Sequence, residues 1–425
     1  MNVININEAS AKELLGYYQA KLDEEAREAK KAGKLVCWSA SVAPPEMCVA
    51  MDIAMVYPET HAAGIGARKG SLDMLAVAEQ KGYNLDICSY ARVNLGYMEL
   101  LKQEAMTGET PEKLANSPAA RVPLPDLVIT CNNICNTLLK WYENLAKELD
   151  IPCIIIDVPF NHTMPIQRRC KEYIAAQFEE AIKILEKVCG RKFDYDKFLE
   201  VQKQVQRSVE QWNRVASFAQ LEPSPLNGFD LFNYMAALVL CRGKESTTAI
   251  FEQLKAEVLE HIANDTSTFP AEEKYRVHWE GIACWPNLGY NLKTLKNYNV
   301  NAVMNGYVTA WDVLYEPGDL DGMARAYQIS STNSLSTPSI MGKRAQSIKD
   351  FGCDGMLCHV NRSCKLMTFH IFTGRDMIEE QAGVPVANFD GDQSDTRVFS
   401  EAQFETRLQG LVEIMDEKKK KGAAE

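Results

Sequence analysis

The sequence predicts an α/β protein of two Rossmann- or flavodoxin-like parallel-sheet lobes, joined by a helical segment and preceded by an N-terminal helix. Three observations lead there. The chain has 425 residues, and a single hydrophobic core stops growing near about 250–300 residues. Short apolar runs alternate with helix-length amphipathic stretches, which is the pattern of a parallel sheet covered on both faces. The alternation breaks once, over residues 166–270, where only helical periodicity is present. The expected organisation is therefore a helical segment at 1–33, a first lobe at 34–165, a helical segment at 166–270 and a second lobe at 271–425.

The elements follow in order. Residues 8–32 read as a helix with Leu14, Leu15, Tyr18 and Leu22 on one face, stopped by Gly33. In the first lobe 35–38, 53–57, 85–89, 127–131 and 151–157 read as strands, and 46–51, 71–81 and 140–149 as helices. The middle segment carries Phe178, Ile182, Ile184 and Leu185 in one stretch and Val201, Val205, Val209 and Trp212 in the next. Strands resume at 276–284, 300–304, 355–358 and 384–389, and a helix over 401–417 precedes a basic KKKKG tail, expected to be a solvated, frayed end. No internal repeat of fixed period is visible.

Composition narrows the function classes. A chain that is 46% hydrophobic and 24% charged is neither disordered nor fibrous. Its 46 Lys and Arg against 57 Asp and Glu give a net charge of -11, which disfavours nucleic acid and anionic membrane as partners. No apolar run reaches the about 18 residues of a membrane span, and no basic region followed by an apolar one marks export, so a soluble cytoplasmic protein is expected. Thirteen cysteines, an odd number in a reducing compartment, argue against a disulfide framework. They leave buried small side chains, reactive thiols or metal ligands.

Sites in open parallel sheets form beyond the carboxyl ends of strands. Cys88, Cys131, Cys135, Cys358 and Cys364 all fall at or just past such predicted ends. Zinc favours paired CxxC-type spacings, and the one close pair, Cys131 and Cys135, has no matching second pair. An iron-sulfur cluster held by widely spaced thiolates from both lobes is compatible with the pattern. The stretch GIGARKG at 64–70 is not directly preceded by a strand and lacks the rest of a dinucleotide signature, although its Arg68 and Lys69 suit a phosphorylated or carboxylated ligand. There is neither a GxxxxGK[ST] nor a GxSxG motif, so ATP hydrolysis by this chain is not expected.

Five blocks, CWSASVAPPE (37–46), YPETHAAG (57–64), DICSYAR (86–92), CNNICNT (131–137) and NRSCK (361–365), together resemble the 2-hydroxyacyl-CoA dehydratases, which share a superfamily with the benzoyl-CoA reductases. The resemblance covers essentially the whole chain and points to lactoyl as the acyl group. It implies a [4Fe-4S] cluster on Cys88, Cys135 and Cys364 with one iron left open, whereas Cys131 and Cys358 match positions that the family does not use as ligands. It further implies Ser41 and Glu59 beside that open iron, with His61 as a candidate for the same pocket and Arg68 and Lys69 as candidates for CoA phosphates. The implied reaction is syn elimination of water from an (R)-2-hydroxyacyl-CoA through a ketyl radical, giving a 2-enoyl-CoA. A homologous beta subunit with a second cluster and an ATP-dependent iron-sulfur activator are the implied partners, in an anaerobic bacterium. A benzoyl-CoA-type reductase subunit and a non-catalytic electron-relay subunit are the alternatives. Nothing in the sequence decides whether a flavin binds as well.

Overall fold

Two four-stranded, wholly parallel sheets organise the chain, and both have the same strand order. The computed structural model describes residues 4–330 and 333–422, so the outermost three residues of the expected N-terminal segment and of the second lobe lie outside the described residues. The first sheet contains β1 (Val36–Ser39), β2 (Ala54–Val56), β3 (Leu127–Cys131) and β4 (Cys153–Ile156), in the order β2-β1-β3-β4. The second contains β5 (Tyr275–Glu280), β6 (Val300–Asn305), β7 (Gly355–Asn361) and β8 (Val386–Gly391), in the order β6-β5-β7-β8. In each sheet the chain runs to one side of the first strand and then crosses to the other. That reversal creates a switch point between β1 and β3 and another between β5 and β7, the positions where open α/β sheets bind ligands.

The strands are short and covered on both faces, and the second sheet buries polar side chains such as Arg276, His278 and Glu280 of β5 within it. Every residue of β1, β3, β5, β6 and β7 is buried. Pairing is in register at Cys37↔Leu127 and Val128↔Cys153 in the first sheet and at Val277↔Gly355 in the second. Beyond Glu280 the chain turns at Gly281, which has φ 103° and lies so close to the His359 carbonyl that a Cβ would sit 2.9 Å from it. This is why the expected strand 276–284 stops four residues early.

Between the sheets lie helices Arg168–Cys189, Tyr195–Ser217, Gly228–Leu240 and Glu245–Ala263. Val201, Val205, Val209 and Trp212 are buried as their spacing predicts, whereas Ile184 faces outward. The N-terminal helix Ala11–Lys31 starts on a capping box between Ser10 and Glu13 and ties to the middle helices through Ala11 N–H donating to Glu257 at 2.7 Å. Among the described residues no helix is long and apolar enough to cross a membrane.

Two expectations are corrected, and one helix is added. Residues 85–89 form no strand: an Asn84 turn carries exposed Leu85 and Asp86 into helix Ser89–Thr107, with Cys88 as its N-cap. Helix Pro58–Ala67, which the sequence pattern did not predict, takes in the first four residues of GIGARKG. Gly66 there packs against the second lobe, where a Cβ would sit 2.8 Å from Ser394 Oγ. The basic tail is helical rather than frayed, since helix Glu401–Gly422 continues through it while Lys418 Nζ donates to the Gly383 carbonyl at 2.9 Å.

Candidate active site

The two switch points face each other, and the loops leaving them bring together groups from both lobes. Cys88, Cys135 and Cys364 share one local design: each is the N-cap of a long helix, respectively Ser89–Thr107, Asn136–Leu149 and Lys365–Ala382. Their sulfurs meet the free amides of the first turns, Tyr90 and Ala91 for Cys88, Thr137 and Leu138 for Cys135, and Met367 for Cys364. Three positive helix ends are thereby directed at one small region, an arrangement that favours negative charge there.

The three thiols also sense one another. Cys364 is acted on by the charges of Cys88 and Cys135, and Cys135 by that of Cys88. Burial pushes the Cys88 thiol up to about 11 and the Cys135 thiol up to about 12, with Cys364 raised as well; repulsion from neighbouring thiols adds to burial at Cys135 and Cys364, and the amides offset only part of it. Held this way, the thiols are protonated near neutral pH unless a positive centre binds them. All thirteen cysteines are free thiols. Among the described residues, no group of three His, Cys, Asp or Glu side chains is gathered so as to hold a single metal ion.

Cys131 and Cys358 are turned to other uses. The Cys131 sulfur contacts the Val42 carbonyl at 2.9 Å and Asn133 Oδ1 at 2.5 Å inside the core, and Cys358 lies buried within β7.

Glu59 stands in the first turn of helix Pro58–Ala67, next to the thiols. One carboxylate oxygen accepts from the Ser41 amide at 3.0 Å and the other from the Tyr142 hydroxyl at 2.8 Å, and the Ser41 hydroxyl is also within hydrogen-bonding reach. Burial holds this carboxyl above the ordinary carboxylate range, and those hydrogen bonds only partly offset it. Its charge is felt by Cys131, Cys135 and Tyr307, which places it on the same side as the cysteines. Ser41 is buried, and its amide is engaged by Glu59 rather than in capping the short helix Glu46–Ala50.

The remaining expected residues are not brought to the same place. His61 lies two positions along the helix from Glu59, about 200° around its axis. Its Nε2 meets the Ala120 carbonyl at 2.9 Å, its ring packs edge-on to Tyr97, and burial lowers its pKa to about 4. Arg68 and Lys69 are exposed at the C-terminal end of the same helix, where Arg68 Nη1 donates to the Gly64 carbonyl at 3.1 Å. That helix end attracts cations and gives no help in binding phosphate.

Several groups converge on the site without having been visible in the sequence. Gln393, from the loop after β8, donates from Nε2 to Cys88 Sγ at 3.1 Å, and its Oε1 accepts from Asn361 at 2.7 Å. Ser363 Oγ donates to Asp392 at 2.5 Å and accepts from the Ser89 amide at 3.1 Å. Tyr307, just past β6, is hydrogen-bonded to Tyr90 and feels the charges of Glu59, Cys364 and Cys88. Buried Arg92 joins the lobes through Glu79 and Asp395, both at 3.1 Å. The polar run Asp392–Gln393–Ser394–Asp395 at a strand end was a usable signal. Nothing in the sequence around Tyr307 was.

A family profile described as 2-hydroxyglutaryl-CoA dehydratase, D-component, matches residues 40–415. The chain belongs to the 2-hydroxyacyl-CoA dehydratase family. It is 57% identical to the lactoyl-CoA dehydratase subunit alpha of Anaerotignum propionicum over 96% of each chain. It is 46% identical to the (R)-2-hydroxyisocaproyl-CoA dehydratase alpha subunit of Clostridioides difficile over 92% of this chain and 93% of that one. With a benzoyl-CoA reductase subunit of Thauera aromatica it shares 24% identity over 88% of this chain and 87% of the other. In this dehydratase-family chain the matched span takes in both switch points and all of Ser41, Glu59, Cys88, Cys135 and Cys364.

Proposed function

We propose that this chain is the alpha subunit of an (R)-2-hydroxyacyl-CoA dehydratase acting on (R)-lactoyl-CoA, and that Cys88, Cys135 and Cys364 hold a [4Fe-4S] cluster with one iron open to the substrate. The observation that carries the reading is the convergence of three N-cap thiols from both lobes beside a protonatable carboxyl, Glu59. The donor set fits such a cluster. Three thiols close enough to repel one another, yet not gathered as the ligands of a single ion, suit a polynuclear core, and its charge removes the cost of ionising them. With three protein ligands one iron lacks a cysteine, and the 57% identity to a lactoyl-CoA dehydratase subunit supports lactoyl as the acyl group.

A cluster held by Cys88, Cys135 and Cys364 would supply reversible one-electron reduction of the thioester, the chemistry that makes loss of hydroxide from C2 and of a proton from C3 feasible. The protein's own groups handle the protons and the orientation. Glu59, whose hold on a proton burial strengthens, would give a proton to the departing hydroxide and regain one from C3, so that water leaves and the carboxyl ends as it began. One acid-base group on one face gives a syn elimination. Ser41 and Tyr142 fix the carboxyl from either side, and Tyr307 presents a hydroxyl to the same space from the second lobe. A homologous beta subunit and an ATP-hydrolysing activator complete the system, in keeping with a relative named as an alpha subunit.

The test is anaerobic turnover of (R)-lactoyl-CoA by the chain with its beta subunit, the activator, ATP and a strong reductant. Acryloyl-CoA should form without net consumption of reductant, and 2-hydroxybutyryl- and 2-hydroxyglutaryl-CoA should be poorer substrates. Stoichiometric reductant use would instead place the chain with the benzoyl-CoA-type reductases.

A further inference from the structure

A cavity of about 310 Å³ lies in the second lobe, where Gly306 and Thr309 from the loop that carries Tyr307 form part of its lining. It is lined by His278 of β5, Asn305 at the end of β6, Ser330, Lys343, Arg344 and Ser347. Its donors are mostly unused. His278 is fully buried, and neither ring nitrogen has a hydrogen-bond partner among the described residues, although Nδ1 lies 4.0 Å from the Glu280 carboxylate. Asn305 is 1% exposed; its Oδ1 accepts the Val308 amide at 2.8 Å, but its Nδ2 has no partner among those residues. The hydroxyls of Ser330 and Ser347 are also buried and unpartnered there. Native interiors rarely leave so many polar groups unmatched in one place, because each unmade bond costs stability.

The imbalance has a sign. Lys343 Nζ gives one proton to the Ile329 carbonyl at 3.0 Å and has others to offer. Of the two carboxylates, Glu280 is met by Arg344 at 2.8 Å and His370 at 3.1 Å, and Asp312, which lines the cavity, accepts from Asn213 at 3.0 Å and faces Lys343. Gly306 keeps Arg344 in place, since a Cβ at that position would collide with the guanidinium. What the cavity lacks is an acceptor-rich, negatively charged occupant.

We propose that this cavity binds a phosphate-class oxyanion, through Asn305, Lys343 and the two serine hydroxyls, with His278 at its floor. Its walls are shared with the thiol site. The strand-end loop that begins at Asn305 places Tyr307 beside Cys364, and the segment leading on from Ser330 carries Asn333, whose amide donates to the Asn133 carbonyl at 2.8 Å and whose side chain donates to the Asn132 carbonyl at 2.7 Å, bracing the loop before Cys135. Occupancy therefore stiffens both walls of the catalytic pocket. The oxyanion could be free phosphate or a phosphate of CoA, and only the second source rests on the acyl-CoA reading.

Calorimetric titration of the full chain decides between them, with inorganic phosphate, CoA and pantetheine as probes. Phosphate should bind at one site per chain, pantetheine should not bind there, and Asn305→Asp or Lys343→Met should weaken phosphate at least tenfold. Asn305→Asp keeps the acceptor for Val308, and Lys343 is a surface-reaching side chain, so both variants should fold, which circular dichroism checks. Competition between CoA and phosphate identifies CoA as the source, and additive binding identifies the free ion. The proposal is overturned by absence of saturable phosphate binding, or by binding that both substitutions leave unchanged. Failure of lactoyl-CoA turnover alone would count against the catalytic reading and leave this site standing.

Discussion

Replacing Glu59 separates its chemical role from its structural one. Its two carboxylate oxygens accept from the Ser41 amide at 3.0 Å and the Tyr142 hydroxyl at 2.8 Å. Glu59→Leu leaves both donors stranded, and at about 1–3 kcal/mol for each unpartnered group the loss of stability should be about 2–6 kcal/mol. Glu59→Gln keeps an acceptor for Ser41 and offers its amide to the Tyr142 oxygen, so it should remain within about 1 kcal/mol of the parent protein. Turnover should nevertheless fall about 10²–10⁴-fold in both variants, because neither side chain exchanges a proton. The pH dependence has a definite sign. Burial raises the folded-state pKa of Glu59, so folding favours the protonated acid. The parent protein carries a penalty that grows as pH rises from the unfolded value of about 4.3 to the higher folded value, whereas the Gln variant does not. Stability of Glu59→Gln relative to the parent should therefore increase through that window and be flat below it. Anaerobic urea unfolding across pH, paired with lactoyl-CoA turnover, measures both quantities. Full activity in Glu59→Gln, or equal stability of the Gln and Leu variants, would refute the assignment.

Other outcomes follow from the same geometry. Gln393→Leu removes a side-chain hydrogen bond that reaches the Cys88 sulfur from the opposite lobe, so the cluster midpoint potential should shift negative in an EPR-monitored titration; an unchanged midpoint contradicts this. Cys131→Ser and Cys358→Ala should leave iron content unaltered, because their side chains belong to the core, and iron loss in either would show that the ligand set is wrong. Arg92→Met should destabilise the chain, though by less than the about 3–5 kcal/mol of a fully stranded buried charge, because Arg397 still holds Asp395 at 2.7 Å. Equilibrium unfolding checks it, and no measurable loss would mean that the lobes do not depend on this bridge.

Much of the scaffold was legible because parallel strands covered on both faces are short, mostly apolar runs. Residues 127–131 and 300–304 stand out for that reason, and β3 and β6 occupy them. The same burial concealed helix Ser89–Thr107. Ten consecutive residues from Ser89 to Met98 are buried, so the helix has no polar face and no periodicity to detect. The glycines of GIGARKG completed no dinucleotide signature, and Gly66 is there for close packing on Ser394. Positions past strand ends singled out five thiols, and only the family resemblance chose Cys88, Cys135 and Cys364 among them; a helix cap and not a strand end places Cys88. Tyr307 was beyond reach because its importance arises only when the second lobe closes on thiols that lie far back along the chain, whereas Gln393 stood in a polar run at a strand end that was open to notice.

The central claim, that Cys88, Cys135 and Cys364 together hold one cluster with an open iron, is tested most directly by anaerobic reconstitution of the full chain and of the three single Cys→Ala variants, followed by iron and sulfide analysis and Mössbauer spectroscopy. The parent chain should bind about four irons and four sulfides, with one iron distinct from the other three, and lose them in air. Each variant should lose the cluster and the activity together. A fully active chain free of iron, or a cluster that survives all three substitutions, would contradict the account.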